Sequence, residues 1–211
     1  DPGEVLRGEP IIDMWGRDST DEAAGTTHFS IVDFDGNAVS MTATIESAFG
    51  NSRMVNGFLL NNELTDFARE PRIDGQIVAN APAGGKRPRS SMSPTIITEG
   101  DDLVMITGSP GGNSIVAYVA KTIVGVFDWG LTPQEAADFP NIIARDLDVR
   151  VEVDRPGGPE AVLALRDMGY PVQEREGENS GLHLILVTED GLSGAADPRR
   201  EGVAIGLDPT E

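Results

Sequence analysis

Thr26 lies near the start of the chain and carries a hydroxyl whose chemistry depends on its own backbone nitrogen. A threonine hydroxyl in mid-chain is a poor nucleophile because nothing removes its proton. If the Gly25–Thr26 bond were cut, Thr26 would gain a free α-amine that takes up this proton directly or through water. Thr26 would then supply both the nucleophile and the base.

A glycine-rich loop, Gly108-Ser-Pro-Gly-Gly112, precedes a predicted helix and offers backbone N–H groups. Such donors, with the positive end of a helix dipole, form an anion site or an oxyanion hole. The loop lacks the lysine and the spacing of a phosphate-binding P-loop. The alternative is a tight strand-to-helix turn with no ligand, and the loop sequence by itself leaves both interpretations open.

A serine block could bind a carboxylate. Ser90 and Ser91 carry hydroxyl donors, and Arg87 and Arg89 beside them carry guanidinium groups. Hydroxyls and guanidinium groups are suitable donors to carboxylate oxygens. A polar surface loop without a ligand is the alternative.

Three acidic residues, Glu46, Glu63 and Asp66, could hold an ammonium group. In so acidic a chain, each of them could equally belong to the solvated surface. His28 could act as a general base, or it could be a hydrogen-bonded histidine within a strand.

A predicted β-hairpin would position Thr26. Its strands run over residues 27–34 and 38–45, and Asp33-Phe-Asp-Gly36 between them fits a type I turn followed by a glycine bulge. This three-residue loop sets Thr26 opposite Thr44. A two-residue loop would move Thr44 to the other face of the hairpin, so the register is a prediction.

Strands and helices are mixed along the rest of the chain, which predicts an α+β layered domain. Residues 69–88 are rich in proline and glycine and predict a surface loop. The helix over residues 114–127 is apolar all round, which predicts burial on every side. Further helices are predicted after Thr132 and over 159–169, and further strands over 57–60, 94–98, 103–107, 149–153, 172–175, 182–188 and 194–196.

The chain has 211 residues and a formal net charge of −19. So acidic a surface repels nucleic acid and anionic membranes, so neither is expected as a partner. The acidity has two interpretations: a strongly solvated surface, or adaptation to high salt, where ions screen the self-repulsion.

Several kinds of site are excluded by composition. The absence of cysteine excludes disulfides and thiolate chemistry, and two histidines far apart make a histidine-based zinc site improbable. The longest apolar stretch, residues 115–129, is too short to span a bilayer.

Seven short motifs, taken in order, resemble the small subunit of gamma-glutamyltransferases. The resemblance runs from about Thr26 to Arg199, and the serine block with the Pro-Gly-Gly loop is its most specific part. The motifs are Thr26-Thr-His-Phe-Ser30, Asp35-Gly-Asn-Ala-Val39, Leu59-Leu-Asn-Asn62, Arg87-Pro-Arg-Ser-Ser-Met-Ser-Pro-Thr95, Gly108-Ser-Pro-Gly-Gly112, Ser180-Gly-Leu-His183 and Ala196-Asp-Pro-Arg199.

The resemblance implies a four-layer αββα sandwich of the N-terminal-nucleophile hydrolase type, of which this chain supplies part. It implies a precursor that cleaves itself between Gly25 and Thr26, with residues 1–25 as the tail of the large subunit and residues 26–211 as the small-subunit catalytic domain. The activity implied is hydrolysis or transfer of the γ-glutamyl group of glutathione and related amides, with no metal and no organic cofactor. The resemblance also implies that the protein is located in the periplasm or outside the cell.

The resemblance also implies roles for individual residues. Thr26 would attack the γ-carbonyl and form an ester, and the uncleaved chain alone would be inactive. The other implied roles are orientation of Thr26 by Thr44, oxyanion binding by Gly111 and Gly112, α-carboxylate binding by Ser90 and Ser91, α-ammonium binding by Glu46, Glu63 and Asp66, and structural roles for His28 and His183.

Some features depart from other members of the family. Glu46 and Glu63 stand where some members have asparagine and glutamine, and the loop between Asp66 and Ser90 is short and lacks tyrosine, which implies an open site.

Two alternative functions remain. The first is a related acylase that removes glutaryl-type side chains from β-lactams, although a glutaryl group has no ammonium for the three acids. The second is an uncleaved, non-catalytic relative.

Overall fold

The computed structural model describes residues 25–145 and 148–207, so the predicted large-subunit tail lies outside the described residues except for Gly25. Three α-helices are present: α1 (Ile115–Phe127), α2 (Pro133–Asp138) and α3 (Gly158–Asp167). The strands are β1 (Thr26–Val32), β2 (Ala38–Thr44), β3 (Met54–Val55), β4 (Phe58–Leu59), β5 (Arg72–Ile73), β6 (Gln76–Ile77), β7 (Thr95–Glu99), β8 (Asp102–Gly108), β9 (Ile142–Arg145), β10 (Asp148–Glu152), β11 (Val172–Arg175), β12 (His183–Thr188) and β13 (Gly191–Ala196).

The β1–β2 hairpin has the predicted register, with Thr26 opposite Thr44. Asp33 N donates to Asn37 O at 3.0 Å, and Gly36 has a φ of 82°, which glycine adopts without steric cost. The turn chemistry of residues 33–36 therefore places the two threonine side chains on one face.

A four-stranded antiparallel sheet, in the order β13-β12-β8-β7, forms the centre of the fold. The hairpin stacks on one face of this sheet: Ser30 donates to His183 O at 3.2 Å and Ser40 donates to Thr107 O at 2.9 Å. Helices α1 and α2 cover the other face through a buried core that includes Met105, Tyr118, Val126, Ala136, Leu184 and Ala195. The resulting order of layers is hairpin, sheet, helices.

The outer face of the hairpin is apolar and exposed. Phe29, Ile31, Val39 and Met41 are between 39% and 51% exposed. In the part of the chain that the structure describes, three layers of the expected four are therefore present, and the outer hairpin face is where a fourth would pack.

A second sheet, in the order β11-β10-β9, packs against α3 around Val149, Val151 and Val162. Strands β10 and β11 are parallel, and β9 is antiparallel to β10. Strand β9 is not predicted by the sequence, because its four residues are too few to show a strand period and form a strand by pairing with β10.

Helix α1 corrects the prediction of burial on every side. Val116, Val124 and Phe127 are 55%, 37% and 47% exposed, because only one side of the helix packs on the central sheet. The proline- and glycine-rich loop also contains a small hairpin, β5–β6. Among the described residues, no helix is long and apolar enough to cross a membrane.

Candidate active site

Thr26 stands at the start of β1, with its hydroxyl facing β2. The hydroxyl donates to Thr44 Oγ1 at 3.2 Å, and the same oxygen accepts a hydrogen bond from the backbone N–H of Glu46 at 2.8 Å. Thr26 is only 8% exposed. The Thr44 hydroxyl is thus fixed by the backbone that follows β2, and it in turn fixes the side chain of Thr26.

Glu46 follows β2 in an unusual backbone conformation, with a φ of 72°. Its buried carboxylate accepts hydrogen bonds from the Ser47 hydroxyl at 2.7 Å and from the Asn62 side-chain amide. A non-glycine residue in this region costs free energy and persists only where surrounding contacts hold it. The bonds from Ser47 and Asn62 provide such contacts and fix the carboxylate of Glu46, which lines the same pocket as Thr26.

Asp66 ends the short 3₁₀ turn Glu63–Asp66 and is buried. Burial raises the pKa of Asp66, and the negative charge of Glu46 raises it further, against opposing contributions from a hydrogen bond with Glu63 and the charge of Arg89. The three carboxylates therefore form one electrostatically coupled group, in which a bound cation would relieve the mutual repulsion.

A buried asparagine connects the serine block to this acidic group by hydrogen bonds. Asn80 donates from its side chain to Asp66 O at 2.6 Å and accepts from Arg89 N at 3.0 Å. Ser90, directly after Arg89, is exposed, and Ser91 is half-buried. Asn80 thus sets the distance between the acids and the serines.

The glycine-rich loop after β8 is held in place by hydrogen bonds of Ser109. Ser109 is fully buried, donates to Pro110 O at 2.7 Å and accepts from Gly181 N at 3.0 Å. Gly111 and Gly112 have φ angles of 135° and 57°, which side chains rarely adopt. A Cβ on Gly111 would also meet the Tyr118 ring at 2.5 Å. Both glycines are therefore required by the backbone itself.

One pocket joins most of these parts. Of the predicted site residues, Gly111 and Gly25 do not line it: Gly111 packs against the Tyr118 ring, and Gly25 packs against the backbone of Glu46 and Ser47. The lining residues are Thr26, Thr44, Glu46, Glu63, Asp66, Ser90, Ser91, Met92, Gly112 and Ile115. Within residues 25–145 and 148–207, no group of acids or histidines is arranged to hold a metal ion.

Sequence reasoning missed the two asparagines that hold the acids. Asn62 lies in the Leu59–Asn62 motif, and its place in that motif could have indicated a role at the site. Asn80 had no signal, because its partners Asp66 and Arg89 become neighbours only in the fold.

His28 lies between the hairpin and the central sheet, outside the lining of the pocket. Its ring nitrogens are hydrogen-bonded to Thr42 Oγ1 at 2.8 Å and Ser30 Oγ at 3.2 Å. Burial, and to a lesser extent the charge of His183, lowers the pKa of His28 to about 4. A neutral, doubly hydrogen-bonded ring at this place supports the structural interpretation.

Comparison with known proteins connects this arrangement to one family. Residues 9–207 match the family model described as Gamma-glutamyltranspeptidase. The chain is 36% identical over 185 residues to the glutathione hydrolase proenzyme of Escherichia coli strain K12, which covers 84% of this chain and 32% of that protein. It is 38% identical over 206 residues to the glutathione hydrolase proenzyme of Pseudomonas sp. strain A14, which covers 88% of this chain and 35% of that protein. The chain thus spans about a third of the length of the curated relatives it matches.

Solved structures agree with the sequence comparison. A gamma-glutamyltranspeptidase from Pseudomonas nitroreducens complexed with L-DON superimposes with a TM-score of 0.74 at 33% identity, covering 86% of this chain and 100% of that chain. A cephalosporin acylase from Bacillus halodurans gives a TM-score of 0.72 at 27% identity, covering 90% of this chain and 37% of that chain. The α+β class of the N-terminal-nucleophile hydrolases is confirmed. With a family model matched over most of its length, the chain belongs to the gamma-glutamyltranspeptidase family.

Proposed function

We propose that this chain is the small-subunit part of a γ-glutamyl hydrolase and transferase that acts on glutathione and related γ-glutamyl amides. The observation that carries the proposal is the Thr26–Thr44 hydroxyl pair facing a pocket with carboxylates and serine hydroxyls. Such a pocket offers partners for both charged groups of a glutamyl α-carbon, with a nucleophile between them.

Activation requires cleavage of the Gly25–Thr26 bond. While that bond is intact, the nitrogen of Thr26 belongs to a peptide and cannot accept a proton. Cleavage converts it to an amine next to a hydroxyl that Thr44 already orients at 3.2 Å. The uncleaved chain is therefore a zymogen in this proposal.

The reaction then follows two acyl-transfer steps. The Thr26 hydroxyl oxygen attacks the γ-carbonyl carbon while the Thr26 amine takes the hydroxyl proton. The backbone N–H groups of Gly111 and Gly112 stabilise the oxyanion, and the amine returns the proton to the departing nitrogen. Water, or the amine of an amino acid or peptide, then attacks the γ-glutamyl ester and releases Thr26.

Substrate recognition rests on two kinds of group in the pocket, neutral hydroxyl donors and negatively charged carboxylates. Ser90 and Ser91 would donate to the α-carboxylate, and Glu46, Glu63 and Asp66 would accept from the α-ammonium. Burial is the main cause of the raised pKa of Asp66, and the negative charge of Glu46 is the second. The second cause supports this role, because a bound cation would offset the repulsion between the two carboxylates.

We also propose that a large subunit of the same precursor completes the enzyme. The apolar outer face of the hairpin, with Phe29, Ile31, Val39 and Met41 exposed, supports such a partner. Exposed apolar faces of this kind mark sites of association. Export to the periplasm or the cell exterior is proposed from family membership alone, and fractionation of the source cells would test it.

The acylase alternative predicts a different substrate preference. A glutaryl side chain lacks an α-ammonium, so binding it would leave the carboxylates of Glu46, Glu63 and Asp66 without a cation. Release of p-nitroaniline from a γ-glutamyl anilide, compared with release from a glutaryl anilide, separates the two activities. Faster turnover of the glutaryl compound would favour the acylase.

The nucleophile is tested in the full precursor that contains this chain. Thr26→Ala should abolish both cleavage, followed by intact mass, and γ-glutamyl anilide turnover. Thr98→Ala is the matched control, because this threonine is exposed on β7, lies outside the pocket lining and should be tolerated. Cleavage by Thr26→Ala would show that the nucleophile is misassigned, and a wild-type precursor that stays intact would support a non-catalytic relative.

A further inference from the structure

The Arg200 side chain reaches the backbone of the proposed nucleophile. Its Nη1 donates to the carbonyl oxygen of Thr26 at 3.3 Å. Its Nε and Nη2 donate to the carbonyl oxygen of Asn179 at 3.2 and 2.9 Å. One guanidinium group therefore bridges two main-chain carbonyls that lie far apart in the sequence.

The Asn179 end of this bridge lies against the glycine loop. The carbonyl oxygen of Asn179 is 3.4 Å from the place a Cβ would take on Gly111. A Cβ on Gly181 would lie 2.8 Å from both Arg200 Cδ and Pro110 Cγ, so these three residues pack without space for a side chain. Arg200 thus sits at the junction between the nucleophile strand and the loop that would bind the oxyanion.

The backbone of Arg200 is also anchored. Arg200 N donates to Asp197 O at 3.3 Å. The preceding residue, Arg199, is 2% exposed and paired with the buried carboxylates of Glu152 and Asp197 at 2.6 and 3.0 Å. A rigid base of this kind limits the positions that the Arg200 guanidinium can adopt.

We propose that Arg200 is a positioning residue for Thr26: it clamps the Thr26 carbonyl against the glycine loop, and its positive charge favours the neutral form of the Thr26 amine after cleavage. This inference rests on the proposed function of Thr26 as an N-terminal nucleophile. The clamp acts before cleavage, because it holds the Thr26 backbone while the hydroxyl attacks the Gly25–Thr26 bond. It also acts after cleavage, because Thr26 is then a chain end that has lost its covalent link to Gly25.

Groups of both signs around Thr26 affect the protonation of its amine. The pocket carboxylates favour an α-ammonium, which cannot act as a base, whereas a guanidinium group on the Thr26 carbonyl disfavours it. His28 is neutral at ordinary pH because its pKa is lowered to about 4. Among the described residues, the charged or titratable groups around Thr26 and Arg200 include Glu46, Glu63, Asp66, Arg89, Tyr118, Arg150, Glu178 and Asp197. Whatever their sum, removal of the Arg200 charge shifts the amine toward the ammonium form.

The experiment compares three variants of the full precursor. Arg200→Gln should slow cleavage at Gly25–Thr26 and move the acid limb of the pH profile of kcat/KM upward by about 0.5–1 pH unit. Arg200→Lys keeps the charge but lacks the planar fork that bridges two carbonyls, so it should keep the acid limb and lower kcat. Arg166→Gln removes the same charge from an exposed ion pair between Arg166 on α3 and Glu174 on β11, and it should match the wild type in both measurements.

The outcomes separate this inference from the proposed function. A wild-type precursor that neither cleaves nor turns over γ-glutamyl anilide contradicts the proposed function. An active wild type with an unshifted acid limb in Arg200→Gln overturns the role of the charge, and an unchanged cleavage rate overturns the clamp. If Arg200→Gln does not fold, Arg200→Lys decides: wild-type cleavage and wild-type kcat in that variant overturn the proposal.

Discussion

Asp66 lies in an environment that favours a bound cation. Its carboxylate is buried beside Glu46, and the backbone around it is held by Asn80 at 2.6 Å. An ammonium group of the substrate would be attracted by the ionised form and not by the protonated form. Because the pKa of Asp66 is raised, protonation begins at a higher pH than for an ordinary aspartate.

We expect Asp66→Asn to raise KM for a γ-glutamyl anilide roughly 10–100-fold, with a smaller change in kcat, because a charge-assisted contact to the substrate is lost. In the wild type, KM should rise as the pH falls toward the raised pKa of Asp66. The variant should lose that part of the pH dependence. Steady-state kinetics across the acid range measure both effects.

Glu70→Gln is a control for Asp66→Asn, because Glu70 is an exposed acid outside the pocket lining. It should leave KM and its pH dependence unchanged. An unaltered KM in Asp66→Asn would remove Asp66 from the ammonium site, and Glu46 and Glu63 would remain as candidates.

Among the elements, the β1–β2 hairpin depends on a histidine for its attachment to the central sheet. The His28 ring occupies the space that Gly108 leaves, since a Cβ there would collide with the ring. Its neighbour across the interface is His183, with ring centroids 6.4 Å apart, and burial lowers the pKa of His183 as well. A proton on either ring would be buried beside the other, so the packing of the two layers favours neutral rings.

We expect the protein to lose stability as the pH falls from 6.5 to about 4, because the folded state keeps His28 neutral while the unfolded state takes up a proton. Above pH 6.5 neither state binds the proton, so the full contribution is present there. The shift corresponds to about 3 kcal/mol, or about 2 kcal/mol after allowance for solvent screening. Urea unfolding between pH 7.5 and 4 measures it.

His28→Gln should be less stable at pH 7.5 and should depend less on pH within this window. Equal slopes for the wild type and His28→Gln would show that His28 does not carry the acid sensitivity. His183→Gln separates the contribution of the second ring.

At the scale of the whole molecule, charge is distributed in two ways. Ionic groups in the interior have close partners: Arg199 is paired with Glu152 at 2.6 Å and Asp197 at 3.0 Å, and Lys121 donates a hydrogen bond to Phe139 O at 2.9 Å. The chain as a whole carries a formal net charge of −19, and this excess lowers stability through self-repulsion. Added salt screens exposed charges far more than buried pairs.

We expect the melting temperature to rise between 0.05 M and 1 M KCl, by roughly 5 °C or more, because ions reduce the repulsion among exposed acids. Sucrose at matched osmotic strength is the control for exclusion of cosolute from the surface. A melting temperature that falls with KCl would contradict adaptation to high salt. An unchanged value would favour the plain solvated surface.

Local chemistry along the chain determined the elements nearest the nucleophile. The turn at Asp33–Gly36 sets the hairpin register and therefore pairs Thr26 with Thr44. The turn type fixes which residues are opposite each other, and the alternation of side chains along each strand then fixes the face on which they lie. Thr132 and Glu135 likewise form the capping box that starts α2 where the sequence predicts it. The family resemblance, based on the order of short motifs, required no tertiary information.

Only the tertiary structure decided how distant segments meet. The left-handed backbone of Glu46, the link from Asp66 through Asn80 to Arg89, and the exposed stripe of α1 depend on which elements pack together. The bond from Arg200 to Thr26 joins residues 174 positions apart, and no local pattern predicts it. Turn and capping preferences act over a few residues, whereas such contacts form only when burial of the core offsets the entropy of closing long loops.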